Sequence, residues 1–164
     1  MNTWYGSEDS EALTGVSFAG WCLVGVRLLG LALIVLSGLL LSVLLRGLER
    51  PIFGQNRPVT PYITVAVCRF ALRIIGLPCR VTGTPMRSPG AFVANHSSWL
   101  DIFVLNSCAR VYFVSKAEVS AWPLIGWLAR ATGTVFIRRN RQDAAQQTEM
   151  FRARLRNGHR LLFF

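Results

Sequence analysis

The hydrophobic pattern of the chain is dominated by one uninterrupted apolar run, residues 28–45, which reads LLGLALIVLSGLLLSVLL and contains no charged side chain. As an α-helix this run would be roughly 27 Å long, close to the ~30 Å hydrocarbon core of a bilayer. Extending it to residues 20–46 adds Arg27, whose long side chain can reach the membrane interface. The residues before it are acidic, unlike the basic start of a cleaved signal peptide, so the run predicts a lasting membrane anchor.

A second helix is predicted for residues 60–77, where Thr60 suits the N-cap and Pro61 the first helical position. Arg69 and Arg73 lie one turn apart on one face of it, which favours a helix lying in the membrane interface over one that crosses the membrane. Taken together, the two helices predict a two-helix membrane anchor.

Between these helices, residues 49–61 are rich in proline and contain a glycine, which predicts a linker. The pattern divides the chain into three parts. A flexible tail is expected at residues 1–18, the membrane-anchoring helices and their linker at residues 19–77, and a folded domain at residues 78–164.

From residue 78 onward, short apolar runs alternate with amphipathic segments. The predicted strands cover residues 80–82, 91–94, 111–114, 134–137 and 161–164, and the predicted helices cover residues 98–108, 121–131 and 142–156. This alternation predicts an α/β domain with a mostly parallel sheet flanked by helices, and functional side chains at the carboxyl ends of the strands. The last predicted strand coincides with the end of the sequence, so we expect the sheet to be incomplete at its C-terminus.

Two helix caps are predicted in this domain. Ser120 is the expected N-cap of the helix at residues 121–131, and Asn157 with Gly158 is the expected C-cap of the helix at residues 142–156.

The chain is 52% hydrophobic and has a formal net charge of +10, with Lys116 as its single lysine. Such a basic protein can bind nucleic acid or an anionic membrane. The apolar anchor and the lack of a nucleic-acid-binding motif favour the membrane, and no nucleic-acid partner is expected. Arg46, Arg50 and Arg57 follow the apolar run, whereas Arg27 is the first basic residue, so the positive-inside rule puts the α/β domain in the cytoplasm. The expected location is a membrane of the bacterial inner-membrane type.

The cysteines and histidines do not suggest a metal site. The four cysteines, Cys22, Cys68, Cys79 and Cys108, have no C-x-x-C spacing, and only two histidines accompany them. We therefore expect no metal and no cofactor, and we expect the cysteines to be small, reduced and buried. His159 lies in a basic turn and is expected to be exposed.

The candidate chemistry lies in residues 91–103, AFVANHSSWLDIF, where His96 precedes Asp101 by five positions. Five positions on a regular helix turn through about 500°, so the two side chains would not face each other within one helix. If His96 instead lies at the strand-to-helix turn, Asp101 can accept a hydrogen bond from its Nδ1, while Ser97 or Ser98 caps the helix. Nε2 would then be available as a general base. The alternative is that His96 lies near a surface aspartate without a catalytic role. The residues alone favour neither interpretation.

The run HSSWLD resembles the first motif, H-x-x-x-x-D, of the glycerolipid (lysophospholipid) acyltransferase family. Further blocks follow in the family's order: FVSKAE at residues 113–118 is similar to the strand and lysine after the motif, WPLIG at residues 122–126 to the P-x-x-G helix, and GTVFIRR at residues 133–139 to the second motif, usually G-x-x-F-I-D-R. Residues 161–164 resemble the strand that leads into the third motif, F-P-E-G-T, which the sequence lacks. The resemblance covers about residues 78–164 and implies a fragment that is inactive by itself.

The resemblance implies transfer of an acyl chain from acyl-CoA or acyl-carrier protein to the hydroxyl of a lysolipid in polar-lipid biosynthesis. By position, His96 would be the general base on the acceptor hydroxyl and Asp101 would orient it. Arg139 would hold the phosphate or polar head of the acceptor, a role that suits an always-charged guanidinium. No covalent acyl-enzyme is implied, so Ser97 and Ser98 are not nucleophile candidates.

Four further residues are candidates for binding substrate: Arg138, Lys116, Gly133 and Asn95. Arg138 stands where the family usually has Asp, which makes lyso-ornithine lipid a candidate acceptor beside lysophosphatidate; a solvated basic edge is the alternative. Lys116 could contact a substrate phosphate or be solvated after its strand, and Asn95 is expected to hydrogen-bond the turn before the helix. Gly133 opens the second motif. The basic cluster is expected one strand away from the catalytic pair.

Two other functions compete with acyl transfer. A non-catalytic membrane protein could bind anionic lipids through its basic face, with no role for the histidine and aspartate. A serine hydrolase is disfavoured because the sequence lacks a G-x-S-x-G elbow.

Overall fold

The computed structural model describes residues 15–138 and 140–164. The α-helices are α1 (Phe18–Phe53), α2 (Thr60–Ile75), α3 (Leu100–Cys108), α4 (Ile125–Thr132) and α5 (Ala144–Arg156). The strands are β1 (Gly90–Val93), β2 (Tyr112–Lys116), β3 (Val135–Ile137) and β4 (Arg160–Phe163). Short 3₁₀ helices cover Ala117–Ala121 and Arg141–Asp143. The predicted alternation of strands and helices is therefore confirmed.

The four strands form one parallel sheet in the order β1-β4-β2-β3. Leu161 of β4 pairs with Ala91 on one side and with Tyr112 on the other, and β3 pairs with β2 through Val114 and Val135. Among the described strands, β4 is last in sequence but central in the sheet, and β1 and β3 lie at the two edges. The predicted fold class, a parallel sheet flanked by helices, is correct.

Alternate side chains of the central strands point to opposite faces of the sheet, as the strand period requires. On one face Tyr112 and Leu161 pack with Phe151 and Leu155 of α5. On the other face Phe113 and Leu162 pack against the α3 side. The sheet is thus covered by α5 on one side and α3 on the other, which explains why the buried parts of its central strands, residues 112–114 and 161–162, are apolar at consecutive positions.

α1 and α2 form an antiparallel hairpin. At its middle the helices approach closely, because Gly38 leaves room for Val67: a Cβ on Gly38 would lie 2.3 Å from Val67 Cγ2. At its end the buried Glu49 carboxylate accepts hydrogen bonds from the Val59 amide at 2.6 Å, the Thr60 amide at 3.0 Å and the Thr60 hydroxyl at 2.9 Å. The hairpin is therefore closed by a buried polar contact.

The predicted linker at residues 49–61 is wrong in its first part, since α1 continues through Pro51 to Phe53. Pro51 lies in the last turns, where its ring interrupts little of the remaining helix. The Arg46 side chain donates hydrogen bonds to the carbonyls of Gly54 and Asn56, which holds the chain where it leaves the helix.

In the described part of the chain, α1 alone is long and apolar enough to cross a membrane, with a mean hydropathy of 2.8 over its most apolar window. The predicted second anchor helix is not shown. α2 is 16 residues long, buries Cys68, Ala71 and Leu72, and donates a hydrogen bond from Arg69 Nε to the Ser107 carbonyl of α3. α2 therefore packs between α1 and the α/β domain.

Three local predictions differ from the structure. Residues 80–82 form no strand. The helix predicted at 121–131 begins only at Ile125, because Leu124 has a positive φ of 59°, which no α-helix contains. Ser120 does not cap α4; its hydroxyl donates a hydrogen bond to the Ala117 carbonyl within the preceding 3₁₀ helix. His159 is buried, with 5% exposure, because its ring packs 4.5 Å from that of Tyr112. The predicted cap at the end of α5 is present, with Gly158 at a φ of 79°.

Candidate active site

The turn between β1 and α3 brings His96 and Asp101 together. α3 begins at Leu100, so His96 precedes the helix and its ring can fold back over the first turn. His96 Nδ1 lies 2.9 Å from Asp101 Oδ2. The predicted geometry, with the pair joined across a strand-to-helix turn, is what the structure contains.

Asp101 also organises the backbone of this turn. Its Oδ2 accepts hydrogen bonds from the Ser97 amide at 2.8 Å and the Ser98 amide at 2.9 Å, in addition to His96. The Ser98 hydroxyl accepts a weaker bond from the Leu100 amide at 3.2 Å. One carboxylate oxygen therefore sets both the turn and the orientation of the imidazole.

These donors hold the pKa of Asp101 below its usual value, the Ser98 amide most strongly, then the His96 side chain and the Ser97 amide. An ionised carboxylate on Nδ1 selects the tautomer with the proton on Nδ1 and the lone pair on Nε2. The His96 side chain is 42% exposed, so the imidazole ring is accessible from solvent. The arrangement can accept a proton from a hydroxyl group and stabilise the imidazolium that results.

Phe164 is part of this site although it was not predicted. Its ring stacks on His96, with centroids 4.1 Å apart and planes 18° apart, and it also lies 5.5 Å from Phe113. The contact follows from the pairing of Val93 with Phe163, which brings the residue after β4 beneath the turn after β1. Applying the rule on carboxyl ends of strands to the last strand would have singled out Phe164.

The predicted basic residues lie at the same end of the sheet but nearer its other edge. Lys116, exposed, ends β2 and pairs with Ile137, after which Arg138 is also exposed. β3 is three strand spacings, roughly 14 Å, from β1. The expectation that the basic cluster lies one strand from the pair is therefore wrong for Arg138. Arg139, the predicted ligand for the acceptor head, lies outside the described residues.

Two more predicted site residues have local explanations. Gly133 ends α4 with a φ of 87°, a conformation that favours glycine, and its position is buried against Tyr112 at the amino end of β3, away from His96. Asn95 is exposed, and within residues 15–138 and 140–164 no hydrogen bond joins its side chain to the turn. Asp101 holds the turn where Asn95 was expected to do so.

Residues 79–164 match the family model described as Acyltransferase. A lyso-ornithine lipid O-acyltransferase of Rhodobacter capsulatus is 56% identical over 134 residues, which cover 82% of this chain and 49% of that protein. Another, of Pseudomonas aeruginosa, is 48% identical over 85 residues, or 52% of this chain and 33% of that protein.

A 1-acyl-sn-glycerol-3-phosphate acyltransferase of Neisseria gonorrhoeae is 38% identical over 114 residues, covering 68% of this chain and 43% of that protein. The chain spans about half the length, or less, of these curated relatives. No solved structure gives a significant match.

Proposed function

The chain belongs to the acyltransferase family, and we propose that its protein is a membrane-bound O-acyltransferase that acylates the hydroxyl of a lysolipid in polar-lipid biosynthesis. The proposal rests on the contact of His96 Nδ1 with Asp101 Oδ2, which leaves Nε2 as a base on an accessible surface. The names of the relatives support lyso-ornithine lipid as the acceptor, with lysophosphatidate as the alternative.

In the proposed reaction, Nε2 of His96 takes the proton of the acceptor hydroxyl as its oxygen attacks the thioester carbonyl of acyl-CoA or acyl-carrier protein. An ester C–O bond forms, the C–S bond breaks, and the proton passes from His96 to the departing thiolate. Asp101 stabilises the imidazolium between these steps. A general base of this kind contributes typically about 10²–10⁴-fold to the rate.

Membrane attachment through α1 is part of the proposal. Large apolar side chains cover much of its surface, for example Leu33 at 61%, Leu40 at 62% and Leu44 at 60% exposure. Burying them in lipid would bring the site to the acceptor, which is itself a membrane lipid. The basic residues that follow the apolar run support a domain on the cytoplasmic side.

For the substrate, we propose that Arg139 and Arg138 act on the polar head of the acceptor and that Lys116 contacts an anionic group of either substrate. Their position at the carboxyl end of the sheet supports this for Arg138 and Lys116. Gly133 and Asn95 would contribute indirectly, through the shape of their turns.

The test is an acyl-transfer assay with membranes that contain the protein, acyl-CoA or acyl-carrier protein, and either lysolipid. His96→Ala is expected to lower turnover by about 10²–10⁴-fold, and Asp101→Asn to lower it through loss of the oriented tautomer. Arg152→Gln is the control, since this side chain is 64% exposed on α5. If folded His96→Ala protein retains turnover, the assignment of His96 as the general base is refuted.

A non-catalytic protein that binds anionic lipids is the second candidate, favoured by the net charge of +10. It predicts binding to anionic vesicles that falls with salt, no acyl transfer, and no effect of His96→Ala or Asp101→Asn on binding.

A further inference from the structure

A pocket with a volume of about 290 Å³ lies at the end of the sheet where the strands begin, opposite the catalytic pair. Arg110 and Tyr112 line it at the start of β2, and Arg160 lines it at the start of β4. Arg57 and Phe53 line it from the connection between α1 and α2. Its size is close to the lower limit for small-molecule sites, which suits a small polar head group.

The charged side chains that line this pocket are all cationic: Arg57, Arg110 and Arg160. Among the described residues, none of the three has a carboxylate oxygen within 4.0 Å. Neutral groups orient all three: the guanidinium of Arg110 lies 4.4 Å from the ring centroid of Tyr62, Arg160 donates to the Met86 carbonyl at 3.2 Å, and Arg57 donates to the Ala131 carbonyl. Within residues 15–138 and 140–164, the pocket therefore holds positive charge that no carboxylate pairs with directly.

Burial and repulsion between neighbouring cations lower the pKa of two of these arginines. Burial, followed by repulsion from Arg46, lowers the pKa of Arg57, and burial, followed by repulsion from Arg110, lowers the pKa of Arg160. Guanidinium groups stay protonated despite such shifts. Glu49, the acid that acts on Arg57, is already bonded to the start of α2. A bound anion would relieve the repulsion through charge-assisted hydrogen bonds.

Apolar residues at the rim of the pocket indicate what kind of molecule would carry the anion. Phe53 in its wall is the last residue of α1, and the preceding turns expose Ile52 at 74% and Leu48 at 67%. An apolar surface thus runs from the cationic pocket along α1. A ligand that matches both parts has an anionic head and hydrocarbon chains.

We infer that this pocket binds the phosphate of an anionic membrane phospholipid, whose acyl chains lie along the apolar surface of α1. The lipid would hold the amino end of the sheet at the membrane surface. The inference is independent of acyl transfer, because the pocket and His96 lie at opposite ends of the sheet.

The test compares two double variants with equal loss of charge. Arg110→Gln with Arg160→Gln removes two pocket arginines, whereas Arg152→Gln with Arg156→Gln removes two from α5 that are 64% and 75% exposed. Binding is measured in nonionic detergent micelles, which cover α1, by titration with phosphatidylglycerol and separately with phosphatidylcholine. The α5 pair controls for diffuse attraction, which contributes about fivefold per arginine near an anionic surface.

The expected result is that the pocket pair loses affinity for phosphatidylglycerol at least about tenfold more than the α5 pair, as loss of charge-assisted phosphate contacts requires. Equal losses for the two pairs would overturn the inference. Arg110→Gln alone and Arg110→Lys provide a second series if the double variant fails to fold, with the Lys variant retaining more binding than the Gln variant.

Inorganic phosphate distinguishes a lipid from a free anion. If the lipid is the ligand, phosphate at millimolar concentration stabilises the protein against thermal unfolding less than phosphatidylglycerol in the detergent micelles does, and it leaves phosphatidylglycerol binding largely intact. Equal stabilisation by phosphate alone, with complete displacement of phosphatidylglycerol, would instead assign the pocket to a soluble anion.

Discussion

Acidification is expected to destabilise the fold through one buried histidine, His159. Its ring is 5% exposed, packs 4.5 Å from the Tyr112 ring, and lies with Nδ1 3.5 Å from Arg154 Nη1. Burial, followed by the positive charges of Arg154 and Arg57, lowers the pKa of His159 from 6.5 to about 4. The folded protein therefore keeps this ring neutral at pH values where the unfolded chain protonates it.

The sign follows from the depressed pKa in the folded state. Well above pH 6.5 neither state binds the proton, so the contribution of His159 to stability is complete there. As the pH falls from 6.5 towards 4, the unfolded state binds the proton first, and stability is lost. Between about pH 8 and about pH 5 a single histidine shifted in this way lowers the free energy of unfolding by about 2 kcal/mol.

The assay is chemical unfolding in detergent micelles, followed by circular dichroism across this pH range. His159→Phe keeps an aromatic ring against Tyr112 without a titrating group, so its unfolding free energy should depend on pH by about 2 kcal/mol less than that of the wild type. His96→Gln, at the other histidine, is the matched variant. The reasoning is refuted if His159→Phe leaves the pH dependence unchanged, or if His96→Gln removes it instead.

Two further predictions concern the α1–α2 hairpin, both measured by the same unfolding assay. Gly38→Val places a Cβ 2.3 Å from Val67 Cγ2 and should cost about 1–3 kcal/mol, whereas Gly47→Val, with open space at its Cβ, should change stability by less than about 0.5 kcal/mol. The Glu49 carboxylate accepts three hydrogen bonds, and Glu49→Gln replaces one of its oxygens by an NH2 group, which cannot accept. This change should lower the free energy of unfolding by about 1–3 kcal/mol, whereas Glu149→Gln, at a side chain that is 61% exposed, should change it by less than about 0.5 kcal/mol. Equal costs within either pair would show that the hairpin packing is not as described.

Structural features that depend on residues close together in the sequence were predicted correctly. The alternation after residue 78 identified all four strands and the parallel α/β class, and the five-residue spacing of His96 and Asp101 showed that the two side chains could meet if His96 preceded the helix. Both are short-range properties, set by the period of side chains along a strand and by the reach of one carboxylate over one helical turn. The same local reasoning missed the break at Leu124, whose positive φ no sequence signal announces for leucine.

Contacts between distant segments were not predictable in this way. The order β1-β4-β2-β3 places the last strand beside the first, so that Phe164 stacks on His96 and Arg138 lies at the far edge. The same packing buries His159 against Tyr112, although its basic neighbours suggested exposure. A strand pairs with whichever strand offers matching register and burial, and nothing in its own residues specifies which one that is.

The sequence by itself determined an apolar helix long enough to span a membrane and a parallel α/β domain, and it singled out His96 and Asp101 as a candidate pair, since each depends on residues close together in the chain. Only the tertiary structure decided that α2 packs against the domain, that an aromatic ring stacks on the imidazole, and that three arginines face one pocket with no carboxylate among the described residues in ion-pair contact with them. These features depend on which surfaces meet when the sheet forms. Whether a side chain is buried or a charge is paired depends on residues from several distant segments, so no single segment of the sequence specifies it.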